Sequence, residues 1–166
     1  MSGEVSAPNE PPFTSSAATL AVKPGGPEKG AGFDAERFCR RYLNEGHNGL
    51  MGIRYRASGL DWTELTMDLK PMHCQSDGIV ADGAIITLVD MAATVAVWVR
   101  LGRFAPHATI DLRLDTFAEP PSEGAVTAHA SCCPISGDVA CVVGAARSRD
   151  GRSFAQFAAT YKLLPQ

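Results

Sequence analysis

The sequence predicts an α+β domain in which a curved antiparallel sheet wraps around one long apolar helix. Three observations carry this reading. Residues 84–99 form an apolar stretch with a single charge, Asp90, inside it. On both sides of that stretch the hydrophobic period switches to two, the period of half-buried strands. Gly, Ser and Asp clusters separate the alternating segments at short intervals, as in antiparallel sheets. A helix apolar on nearly every side has to be covered on nearly every side, and a bent sheet can do so.

The chain has 166 residues, of which 45% are hydrophobic, enough for one domain with a real core. Its net charge of -3 offers no basic stripe for nucleic acid. The five cysteines contain no Cys-x-x-Cys pair, and the histidines are scattered. Neither a disulfide framework nor a metal site is expected, and no cofactor is implied. Reduced thiols suit a cytoplasmic location. Residues 84–99 are short for a bilayer span and Asp90 interrupts them, so a buried core helix is expected rather than a membrane contact.

Residues 1–32 are rich in Pro, Ser, Ala, Gly and Glu, and read as a disordered tail. They show neither an export signal nor the arginines of a transit segment. The domain is expected over 33–166. Residues 33–46 read as a short helix, capped by Asp34 and ended by Gly46. His47 follows in an Asn-containing turn and is expected to be solvated. Residues 52–57 and 62–71 read as a hairpin across Ser58 and Gly59. In the second strand Thr63, Leu65, Met67 and Leu69 alternate with Glu64, Thr66, Asp68 and Lys70. Beyond the helix, Ala108, Ile110, Leu112 and Leu114 alternate with Thr109, Asp111, Arg113 and Asp115, which places Thr109 on the charged, solvated face. Residues 125–133 and 139–147 flank a Ser136-Gly137-Asp138 turn. Asp150-Gly151 introduces a last strand, 153–164, with Ala155, Phe157, Ala159, Tyr161 and Leu163 on one face.

Asp90 is the first functional candidate. A carboxylate in an apolar helix is costly unless it is paired, hydrogen-bonded or used, and such groups cluster at functional sites. The alternative is a structural role, in which Asp90 pairs a buried arginine or bonds a backbone amide. Gly83, Thr87, Asp90 and Thr94 fall at spacings of four, three and four, a narrow stripe of small and polar groups on one helix face. Asp82 reads as the helix N-cap.

This order of elements, with its central segment, resembles the hotdog-fold acyl-CoA thioesterases of the phenylacetate-pathway and 4-hydroxybenzoyl-CoA thioesterase-like group. The resemblance covers residues 33–165. Pro71 closes a strand, Gln75 stands where that group has Asn, and Gly78 matches. Ala81-Asp82-Gly83 stands where it has His-Gly-Gly, and Leu88-Val89-Asp90 matches Leu-Ala-Asp. Thr109-Ile110-Asp111 matches the next strand, and the Asp-Gly-Arg turn resembles the last hairpin.

The resemblance implies hydrolysis of an acyl-CoA thioester to a free acid and coenzyme A. Asp90 would serve as nucleophile or as general base on water, an alternative the residues leave open. Gly83 would polarise the thioester carbonyl through its backbone N–H. Gln75 and Thr109 would be supporting polar groups, and Asp82, Thr87 and Thr94 would line the substrate. Arg147 and Arg149, near the last hairpin, would reach coenzyme A phosphates. The resemblance also implies a homodimer or homotetramer with sites across the dimer interface. Two other readings stand beside it. One is an acyl-binding hotdog protein without catalysis, motivated by the missing His-Gly-Gly. The other is a hotdog enoyl-CoA hydratase, motivated by Asp68 and His73 in an Asp-x-x-Pro-x-His run.

Overall fold

A computed structural model describes residues 32–165. The expected tail thus lies outside the described residues except for Gly32. Six strands form one antiparallel sheet: β1 (Ile53–Ser58), β2 (Trp62–Asp68), β3 (His107–Thr116), β4 (Ala125–Cys132), β5 (Val139–Arg147) and β6 (Ser153–Leu163), in the order β1-β2-β4-β5-β6-β3. Among the described residues three α-helices accompany it, α1 (Ala35–Tyr42), α2 (Gly46–Met51) and α3 (Asp82–Leu101), with one short 3-10 helix over Pro71–His73.

The inward faces follow the predicted alternation. Thr63, Leu65 and Met67 of β2 are buried, as are Ala155, Phe157, Ala159 and Tyr161 of β6. They enclose α3, whose Ile85, Leu88, Val89, Ala92, Ala93 and Val95 are fully buried. α3 packs on β2, β4 and β5. It runs longer than residues 84–99 at both ends, and its length and hydropathy would allow it to cross a bilayer. Its burial beneath the sheet is what assigns it to the core. Gly102, at φ +67, ends it with N–H bonds to the Trp98 and Val99 carbonyls.

Three local expectations are corrected. The first helix stops at Tyr42, with Leu43 as its C-cap, and residues 46–51 form a separate helix, α2, rather than a turn. Gly49 lets α2 lie close against the preceding chain, since a Cβ there would meet the Asn44 carbonyl oxygen at 2.4 Å. Asp34 caps α1 as expected, accepting the Arg37 N–H at 2.9 Å. Asp82 is not the cap of α3: Ala81 holds that position, with no side-chain bond, and Asp82 is the first helical residue. Its charge still lies at the positive end of the helix dipole. The third correction concerns β3. Thr109 pairs with Tyr161 and Asp111 with Thr160, so Ile110 is an extra, bulged residue. The bulge breaks the alternation, and Thr109 shares a sheet face with Tyr161 and Leu112 instead of with Asp111.

Candidate active site

Asp90 lies midway along α3 on its half-exposed flank. The Tyr161 hydroxyl donates to Asp90 Oδ1 at 3.1 Å and lies 3.3 Å from the Asp90 backbone carbonyl. Among the described residues Asp90 forms no ion pair, so the structural alternative of a buried arginine partner does not apply. Tyr161 is fully buried. Burial, and next the negative charge of Asp90, push its phenol far above the ordinary range, so it stays a hydrogen-bond donor.

The polar stripe on α3 divides in two. Towards the N-terminus, the Thr87 hydroxyl donates to the Gly83 carbonyl at 2.9 Å. With its one hydrogen so used, Thr87 Oγ1 accepts from His47 Nε2 at 3.4 Å. His47, exposed on α2, thereby joins the stripe from another element. Towards the C-terminus, the buried Thr94 lies 3.2 Å from His107 Nε2. His107 Nδ1 donates to the Ala105 carbonyl at 3.0 Å, which also accepts the Trp98 indole N–H at 2.8 Å.

Gly83 is the second residue of α3 and is exposed. The backbone bonds of the first turn begin at Ala84, whose N–H reaches the Ala81 carbonyl at 3.0 Å. The Gly83 N–H is therefore left for an outside acceptor, as at any uncapped helix start. A Cβ at Gly83 would meet nothing within 4 Å. Gln75 opens a turn in which the Gly78 N–H donates to its carbonyl at 3.0 Å, with Gly78 at φ +84. Its side chain is exposed. Thr109, also exposed, stands opposite Tyr161 on the neighbouring strand.

Other residues lie apart from this group. Arg147 is on the outer sheet face, 3.9 Å from Glu64, which also binds Arg56 and His129. Arg149 lines an open cleft of about 720 Å³ with Ser122, Glu123, Gly124, Asp150 and Arg152. Asp68 pairs with Arg54 at 2.7 Å on the exposed outer face, whereas His73 is buried and accepts the Lys70 N–H at 3.1 Å. The two residues of the hydratase reading do not face one site. Among the described residues no group of His, Cys, Asp and Glu could hold a metal ion.

Solved structures share this fold. A thioesterase from Haemophilus influenzae superposes with a TM-score of 0.72 at 20% identity, over 80% of this chain and 91% of that one. A protein from the phenylacetic acid degradation operon of E. coli gives 0.69 at 13% identity, over 79% and 94%. Zebrafish thioesterase superfamily member 2 gives 0.68 at 19% identity, over 78% and 95%. The chain has the hotdog fold. No protein-family model matches it, and no curated protein matches it in sequence. Its hotdog helix is α3, and Asp90 stands at that helix's centre.

The residue that sequence reading missed is Tyr161. Its alternation places it on the inner face of β6, but its hydroxyl contact with Asp90 spans 71 residues of chain. The one available signal was its hydroxyl, since a buried tyrosine needs a polar partner.

Proposed function

We propose that this hotdog protein hydrolyses acyl-CoA thioesters to a free carboxylic acid and coenzyme A. One observation carries the proposal: Asp90 is a carboxylate with no ion pair among the described residues, held by a buried donor on the open flank of an otherwise apolar helix. The likeness in fold to thioesterase structures supports it.

Two routes use the same geometry. As a nucleophile, Asp90 attacks the acyl carbon, the C–S bond breaks and coenzyme A leaves as a thiolate. Water then hydrolyses the acyl-aspartyl anhydride, restoring the carboxylate. As a general base, Asp90 takes a proton from water while the water oxygen attacks the acyl carbon. That proton passes to the departing thiolate. In either route the carbonyl oxygen gains charge, and a backbone N–H aimed at it lowers the barrier.

Gly83 would supply that donor, from a second copy of the chain. It lies seven residues before Asp90 on the same helix. At 1.5 Å per residue the separation is about 10 Å, too far for one carbonyl group to meet both. Two copies with antiparallel α3 helices would set Asp90 of one against Gly83 and Gln75 of the other. Exposed apolar residues support this arrangement: Ile86, one turn before Asp90, and Ile110 on the edge strand β3. Thr109 and Thr87 would line the acyl group with Thr94 behind them. Asp82 would border the thioester, and Arg149 would meet coenzyme A phosphates. Arg147, turned towards Glu64, would have to swing over the sheet edge to join it.

The test is thiol release from aromatic and aliphatic acyl-CoAs by wild type and Asp90→Asn, with sedimentation to fix the oligomeric state. Turnover by a dimer or larger assembly, lost in the variant, is expected. A monomer that turns over would overturn the two-copy site, and full activity in Asp90→Asn would overturn the mechanism. Binding of acyl-CoA without turnover by wild type would replace the hydrolase with the acyl-binding reading.

A further inference from the structure

Tyr161 does more at Asp90 than bury a ring. Its hydroxyl could have been satisfied by the Asp90 backbone carbonyl alone, 3.3 Å away. It also reaches the carboxylate, at 3.1 Å, and so ties one oxygen of Asp90 to β6. The ring is held in turn from the neighbouring strand. His107 of β3 meets it edge-on, with centroids 4.9 Å apart and planes at 85°. His107 has no freedom of its own. Because a carbonyl can only accept, Nδ1 carries a hydrogen and donates it to Ala105, and Nε2 is engaged by Thr94. Thr94 lies one helical turn beyond Asp90 on the same side of α3. Thr94 of α3, His107 of β3 and Tyr161 of β6 thus form a chain of contacts that ends on the Asp90 carboxylate.

We propose that Tyr161 is a positioning residue for Asp90, and that Thr94 and His107 form the brace that keeps Tyr161 in place. The hydroxyl occupies Oδ1 and leaves Oδ2 as the oxygen that faces water or the acyl carbon. A carboxylate free to rotate about its Cβ–Cγ bond would present either oxygen in many orientations, whereas productive attack requires one. The titratable groups around the phenol are Asp90 on α3, His107 on β3 and Cys132 on β4. The inference rests on the reading of Asp90 as the reacting carboxylate.

The experiment uses the full chain with three forms compared: wild type, Asp90→Asn and Tyr161→Phe. The phenylalanine variant keeps the ring and its packing, and thermal unfolding checks that it folds. A hydrogen bond to a charged group is lost, so kcat is expected to fall about 10-fold to 100-fold with KM unchanged. A crystal structure of Tyr161→Phe is expected to show the Asp90 carboxylate rotated or spread over several rotamers. An inactive Asp90→Asn beside a fully active Tyr161→Phe would overturn the positioning role and leave Asp90 standing. A fully active Asp90→Asn would overturn both. If wild type shows no turnover, the crystal structure decides: an Asp90 carboxylate unmoved in Tyr161→Phe overturns the inference.

Discussion

Substituting Gly83 by alanine should stabilise the protein and disable it. Glycine costs a helix about 0.5–1 kcal/mol relative to alanine because more backbone freedom is lost on folding. At Gly83 nothing in the chain's own fold requires that cost. The residue has no positive φ, and a Cβ would meet nothing within 4 Å beyond the local backbone of its own helix. The variant should therefore gain up to about 1 kcal/mol, a rise of about 2–4 °C in Tm for a domain of this size. The proposed role demands the reverse for activity. A thioester oxygen approaching the Gly83 N–H would meet the new methyl, and loss of one oxyanion donor costs about 100-fold to 1000-fold in kcat. The assay pairs thermal denaturation with thiol release. Higher Tm with unchanged kcat/KM would refute the oxyanion role. Lower Tm would refute the reasoning about free space, and would locate a contact that the second copy makes there.

Acidification should destabilise the domain through His73. Burial, and then the charge of Lys70, lower its imidazole pKa below the ordinary 6.5. The unfolded chain binds a proton that the folded chain refuses, so this contribution is complete above pH 6.5 and declines as pH falls below it. Urea denaturation should show that decline in wild type and a shallower one in His73→Gln; equal slopes would count against it. Burial pushes the Cys39 and Cys132 thiols up to about 12, whereas Cys141 is exposed. An aromatic disulfide reagent should therefore label Cys141 in the native protein and reach Cys39 and Cys132 only after denaturation; early labelling of either would contradict the burial. Leu88→Ala should cost about 2–5 kcal/mol, read as a lower denaturation midpoint, because Leu88 is fully buried between helix and sheet.

What the sequence disclosed was decided by periodicity. β2 and β6 alternate cleanly, and their inward residues were readable one by one. α2 was not, because its six residues include two glycines and no helical apolar stripe; tertiary packing beside Asn44 sets it. The bulge at Ile110 leaves no mark in composition, yet it decides which face Thr109 occupies. Asp90 was conspicuous because a charge in an apolar run is an anomaly at short range. Tyr161 and His107 were not, since their relation to Asp90 and Thr94 depends on how the β6–β3 edge of the sheet closes over the helix.

The strand order has a consequence for how the chain is made. β3 is synthesised third but pairs only with β6, the last strand. Until β6 has emerged from the ribosome, β3 therefore has no neighbour, and its ladder groups and Ile110 stand open to other nascent chains. β2 likewise waits for β4 on its second side. α3, apolar enough to seek any greasy surface, emerges before most of the sheet that shelters it. The protein is thus most vulnerable during its own translation, and a stall between β5 and β6 would leave a sheet closed on one side and sticky on the other.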